Sequence, residues 1–176
     1  MINKGLAGNE FLISHHKNVS MKSLVLFCLF CSINLYLFGQ KLNYYDLLYL
    51  TSHSTEEVDF LLGNRKFNFD SQKNEDGFIH TIYTRVVKRY VNYEIITLMF
   101  GKRFKTVSYS TEYLDNAESI RAFCKSLGYK LTKEYTDPFG DLTFEYNLGN
   151  IELDFVKTHG KSSVNVYYIY LTVFNN

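Results

Sequence analysis

The sequence predicts an α+β protein: an αββββ unit repeated in tandem, forming an antiparallel sheet with helices packed on one face. Three observations lead there. The 176 residues include 15 Tyr and 15 Phe but one Pro, and aromatic enrichment with little proline favours strands. Glycine-centred turn signals divide the second half of the chain into short apolar runs. Finally, "FLLGNRKFNFD" from Phe60 is echoed 62 residues later by "AFCKSLGYKLT" from Ala122, and self-similarity at a fixed period marks a repeated unit.

The echo extends beyond those words. The same spacing pairs Val58 with Ile120, Leu62 with Cys124 and Phe67 with Tyr129. One residue more pairs Gly77 with Gly140 and Tyr83 with Tyr146. A shorter offset sets Tyr93, Ile95 and Thr97 against Ile151, Leu153 and Phe155.

Each unit opens with a helix. Ser54 and Glu57 form a capping-box pattern ahead of Val58, Leu61 and Leu62. In the second unit Asp115 or Asn116 is placed to cap, Ile120, Phe123, Cys124 and Leu127 form the apolar stripe, and Gly128 ends the helix. A short extra helix, Tyr44 to Leu50, precedes the first unit.

Four strands then follow each helix. In the first unit they are expected at Lys66–Gln72, Phe78–Val86, Val91–Phe100 and Phe104–Ser110, with Asp76-Gly77 and Gly101-Lys102 (Gly first) as hairpin turns. In the second they are expected at Lys130–Tyr135, Asp141–Asn147, Asn150–Thr158 and Ser163–Phe174, the later ones parted by Gly149-Asn150 and His159-Gly160. Links this short require antiparallel pairing. The units divide as residues 41–111 and 112–176.

The N-terminal region reads differently. "MKSLVLFCLFCSINLYLFGQ", from Met21, places Lys22 before an apolar run that ends at Gly39-Gln40, the pattern of a secretory signal peptide. It resembles the leaders of secreted proteins in some Gram-negative bacteria. Residues 1–20 are then either a disordered tail or sequence upstream of a true start at Met21. This leader implies export, to the periplasm or beyond the cell. An uncleaved leader would instead anchor the protein in the membrane. Phe27 and Phe30 precede Cys28 and Cys31, where a lipidation signal needs a small residue. Cleavage leaves Cys124 alone, without a disulfide partner.

The element order over roughly residues 42–174 resembles that of the β-lactamase inhibitor protein family, whose tandem helix-plus-four-strand repeats form one curved sheet. The resemblance implies an inhibitory, protein-binding role. That family's units carry disulfides, which a mature chain with one cysteine cannot form within itself.

Little in the sequence spells chemistry. His53, His80 and His159 show no zinc-ligand spacing, and no metal or cofactor is expected. Cys124 lies on an apolar helical stripe, a core position. Glu152 and Asp154 share one face of a strand but sit opposite Ile151, Leu153 and Phe155, where solvated charge belongs. Lys88-Arg89 and Lys102-Arg103-Lys105 lie near aromatics at hairpin ends, yet a formal charge of +1 gives no electrostatic case for nucleic acid.

The informative feature is a sheet that is apolar on both sides. With Tyr93, Ile95, Thr97 and Met99 turned to the helices, Glu94, Ile96, Leu98 and Phe100 fall on the opposite face; Tyr167 and Ile169 fall there from the last strand. The leading expectation is an exported, non-enzymatic binding module. Its partner, a protein or an apolar ligand, meets Ile96, Leu98, Phe100, Tyr167 and Ile169. Covering of that face by a homodimer, by the chain ends or by curvature of the sheet is the plainer account. A self-associating envelope protein and a small hydrolase or redox enzyme are the alternatives.

Overall fold

Capping fixes where the first two helices begin. The computed structural model describes residues 41–88, 92–158 and 165–175; the leader, Arg89 and His159-Gly160 lie outside these. Helix α1 (Tyr44–Ser52) starts at Asn43, whose side chain accepts from the Asp46 amide at 3.0 Å while Asp46 accepts from the Asn43 amide at 2.9 Å. Helix α2 (Thr55–Asn64) starts at Ser54 with the expected reciprocal pair to Glu57. Each box satisfies amides that the first helical turn leaves without partners.

Helix α3 (Leu114–Ser126) departs from expectation. Neither Asp115 nor Asn116 caps it: Tyr113 holds the cap position and makes no side-chain bond there. The Asn116 amide instead donates to the Tyr109 hydroxyl at 2.8 Å, in the interior.

Helices α2 and α3 end alike. The Lys66 amide bonds to the Gly63 carbonyl at 3.0 Å and the Phe67 amide to that of Leu62 at 2.9 Å. Gly128 bonds to Lys125 at 3.1 Å and Tyr129 to Cys124 at 3.2 Å. This is the Schellman pattern, which needs a left-handed residue just past the helix. Gly128 supplies it at φ +91°, whereas in the first half Lys66 adopts φ +66° despite its side chain.

The described residues include eight strands in two meanders: β1 (Asn68–Glu75), β2 (Phe78–Lys88), β3 (Asn92–Phe100) and β4 (Phe104–Thr111) before α3, then β5 (Lys130–Thr136), β6 (Leu142–Leu148), β7 (Ile151–Thr158) and β8 (Val166–Phe174) after it. All pairings are antiparallel, in the order β1-β2-β3-β4-β8-β7-β6-β5. The two meanders therefore meet through their last strands, where Val107 opposes Leu171 and Tyr109 opposes Ile169. The sheet ends at β1 and β5, whose residues are almost all exposed. Each of these strands has a register shift near its start, between Phe69 and Ser71 and between Leu131 and Lys133.

Turn chemistry explains one hairpin and steric space another. Asp76 and Gly77 both have positive φ, +52° and +82°, as a type I′ turn requires. Gly101 does not adopt the expected left-handed conformation. It is required for space, because a Cβ there would lie 2.4 Å from the Phe78 ring.

One core unites these elements. Leu47 and Leu50 of α1, Val58 and Leu62 of α2, and Ala117, Ile120 and Cys124 of α3 share it with Tyr83, Ile96, Leu98, Val107, Tyr109, Tyr146, Leu153, Phe155, Ile169 and Leu171. Helix α1 reaches across the halves: the Tyr44 and Tyr129 hydroxyls lie 2.8 Å apart, and Tyr44 and Tyr45 both meet the Phe123 ring.

Candidate functional site

The expected partner residues face the wrong way. Ile96 and Ile169 are wholly buried, Leu98 is 3% and Tyr167 8% exposed, and all four belong to the core. Phe100 is half-buried and packs against the core margin, with the Lys105 ammonium 5.3 Å from its ring centre. Ile95, expected to face inward, is 38% exposed. A one-residue slip in strand alignment reverses every side chain, and such a slip is responsible. Buried Tyr83 opposes Ile96 and buried Tyr146 opposes Leu153, so Ile96, not Ile95, takes the inward face of its strand. The face of β8 follows from β7, since Ile169 opposes the inward Phe155.

The same reversal carries Glu94 inside. It is 2% exposed and accepts hydrogen bonds from four donors. Arg85 donates through Nε at 2.8 Å and through its second terminal nitrogen, the Tyr109 hydroxyl donates at the other oxygen, and the Thr111 hydroxyl donates there at 2.9 Å. Arg85 also donates to the Arg65 carbonyl at 2.7 Å and lies over the Phe67 ring, 4.5 Å from its centre. The Tyr109 hydroxyl is pushed well above the ordinary phenol range, by burial first and then by the Glu94 charge. The signal that could have located this cluster was the opposition of Arg85 to Glu94 across one hairpin, opposite charges on neighbouring strands.

The outward face is built of rungs that cross the sheet. One runs Thr84, Ile95, Ser110, Tyr168, Val156, Thr143, Tyr135. The next runs Ser71, Ile82, Thr97, Ser108, Tyr170, Asp154, Glu145, Lys133. None of these residues belongs to the core cluster. Ile82, Ile95 and Met99 give β2 and β3 an apolar flank. Serines, threonines and the tyrosines of β8 occupy the middle. Asp154, Glu145 and Glu152 make the β6–β7 flank acidic.

Tyr168 and Tyr170 stack at the centre, with ring centres 6.3 Å apart and planes 13° from parallel. Burial raises the Tyr170 hydroxyl above its ordinary value, with Tyr168 adding to the effect. Asp154 beside it is raised to about 6, by burial first and then by Glu152 and Glu145. Its Oδ1 is buried and has no hydrogen-bond partner among the described residues. Glu145 differs, because Lys133 reaches it at 2.8 Å.

The remaining candidates for chemistry are separate. Cys124 is fully buried, and burial pushes its thiol up to about 12, a non-nucleophilic state at neutral pH. His53 is half-buried and stacks on Tyr49 at 3.4 Å. His80 lies on the outward face opposite Met99 and Lys73. Among the described residues no group of three or more His, Cys, Asp and Glu is arranged to hold a metal ion, and no helix is long and apolar enough to cross a membrane.

No known protein family, no characterised protein and no solved structure matches this chain.

Proposed function

We propose that the protein is an exported, non-enzymatic binding module whose partner meets the outward face of the sheet, opposite the helices. The observation that carries this reading is the tyrosine pair of β8 at the middle of that face, flanked by aliphatic side chains and by an acid with a bare, buried oxygen. Tyrosine supplies large contact area at low conformational cost, and Ser and Thr supply adaptable hydrogen bonding, the composition favoured in protein-binding surfaces. A buried carboxylate without a partner is costly alone. A Lys or Arg from another protein would satisfy it, so the partner surface is read as basic. Export rests on the Lys22-led apolar leader.

The two halves are read as copies of one folding unit. The 62-residue spacing relates Leu62 to Cys124, Phe67 to Tyr129 and the left-handed Lys66 to Gly128. It also relates the two register shifts, Phe69/Ser71 and Leu131/Lys133. In this reading the two halves differ in side-chain identity while their backbone geometry recurs.

The test is a variant with Ile95→Lys, Tyr168→Ala and Tyr170→Ala. It is expected to keep the wild-type far-UV spectrum and to lose the partner that wild-type protein captures from the native envelope or medium. A variant that folds and still captures that partner removes the outward face from consideration. Sequencing the N-terminus of the secreted protein is expected to begin at Gln40 or Lys41.

A further inference from the structure

The helix side of the sheet contains an opening of its own. Between α3 and the inward side of β6, β7 and β8 lies a cavity of about 180 Å³. Its walls are apolar, formed by Ala117, Phe144, Phe155 and Tyr167. Three charged residues also line it, the cations Arg121 and Lys157 and the acid Glu118.

Arg121 is held in place by the protein. Its guanidinium carbon lies 3.8 Å from the Phe144 ring centre and its Nε donates to the Tyr146 hydroxyl at 2.9 Å. Its remaining contact, with Glu118, spans 3.3 and 3.4 Å and involves a half-exposed carboxylate, a pairing of little strength. Lys157 opposes Tyr167 across β7 and β8 on the inward side, is half-buried, and has no ion pair among the described residues. Glu118 is engaged with Arg121, so among the described residues the Lys157 ammonium has no carboxylate paired to it, and it gains from a ligand anion that shares its partly dry surroundings.

Size narrows the ligand. An apolar cavity of about 150 Å³ accommodates benzene, so this one takes a single phenyl ring or a short branched alkyl chain. Drug-sized ligands occupy roughly 300–1,000 Å³, which argues against a lipid or cofactor. The geometry points to a binding site for a small aryl or branched-alkyl carboxylic acid, with its apolar group between α3 and the sheet and its carboxylate at Lys157 and Arg121. This site is independent of the outward face, and either reading can fail without the other.

The experiment is a titration of the ¹⁵N-labelled protein with phenylacetate, and separately with the neutral phenylacetamide. Phenylacetate is expected to shift the amide signals of Ala117, Arg121, Phe155 and Tyr167 with a Kd of about 1–10 mM. Phenylacetamide is expected to bind roughly tenfold more weakly. Lys157→Met should reduce phenylacetate to the level of the amide. Leu114→Glu, which adds a carboxylate at a half-exposed lining position, should act in the same direction. The proposal is overturned by equal binding of acid and amide, by shifts confined to other residues, by no shift up to about 20 mM, or by undiminished binding in both folded variants.

Discussion

Replacing Glu94 by Gln keeps the size of the side chain and removes its charge. One oxygen remains for the Tyr109 and Thr111 hydroxyls, while the new amide group turns its hydrogens toward Arg85, donor against donor. Arg85, itself 6% exposed, would then hold a buried charge without its carboxylate. Removing one partner of a buried ion pair costs about 3–5 kcal/mol, against a total stability of about 5–15 kcal/mol for a domain. With a urea dependence of about 1–3 kcal/mol per molar, the midpoint should fall by about 2 M. Urea unfolding followed by far-UV circular dichroism measures this directly. A change within about 0.5 kcal/mol is ordinary for surface positions; that result would put Glu94 on the outward side and refute the face assignment. Arg85→Met alone and combined with Glu94→Gln completes a cycle whose coupling should be about 2–3 kcal/mol.

Asp154 should make stability depend on pH in the opposite sense to most carboxylates. Its folded value, about 6, lies above the ordinary aspartate value, so the native state holds the proton more tightly than the unfolded chain. The resulting stabilisation is complete below about pH 4 and is lost as pH rises through about 6. A shift of this size corresponds to at most about 3 kcal/mol, less for a side chain that keeps some exposure. Asp154→Asn is therefore expected to raise the urea midpoint at pH 7.5 and to reduce the gain that wild type shows on going to pH 5. The helix ends give a second, pH-independent check. Lys66→Gly removes a left-handed non-glycine residue and should stabilise by about 1 kcal/mol, whereas Gly128→Ala should destabilise by a similar amount; thermal melts of the two should move in opposite directions.

Element positions were legible in the sequence because turns announce themselves. Asp76-Gly77, Gly101 and Gly149 bracket runs too short and too β-prone for helices, and the observed strands differ from expectation by only a few residues at each end. Which face each strand buries was harder to read. In β3 both alternating sets are apolar, Ile95 and Met99 on one side and Ile96 and Leu98 on the other, so periodicity alone cannot choose. The single charge in the run, Glu94, argued for the wrong answer because its counterion sits on the neighbouring strand. A register shift between Val86 and Lys88 beside that hairpin further obscured the count. The Lys157 cavity left no trace in the sequence, since it forms where a helix fails to fill the space over three strands.

The margins of the sheet constrain how copies of this protein can associate. An unpaired, flat strand invites another chain to continue the ladder. Here both outermost strands depart from regular register near their beginnings and carry lysines, Lys73 on one and Lys130 and Lys133 on the other. Those are the devices by which natural proteins discourage end-to-end growth into filaments. Any assembly of this protein is therefore expected to stack broad surface on broad surface, giving closed pairs instead of open-ended polymers.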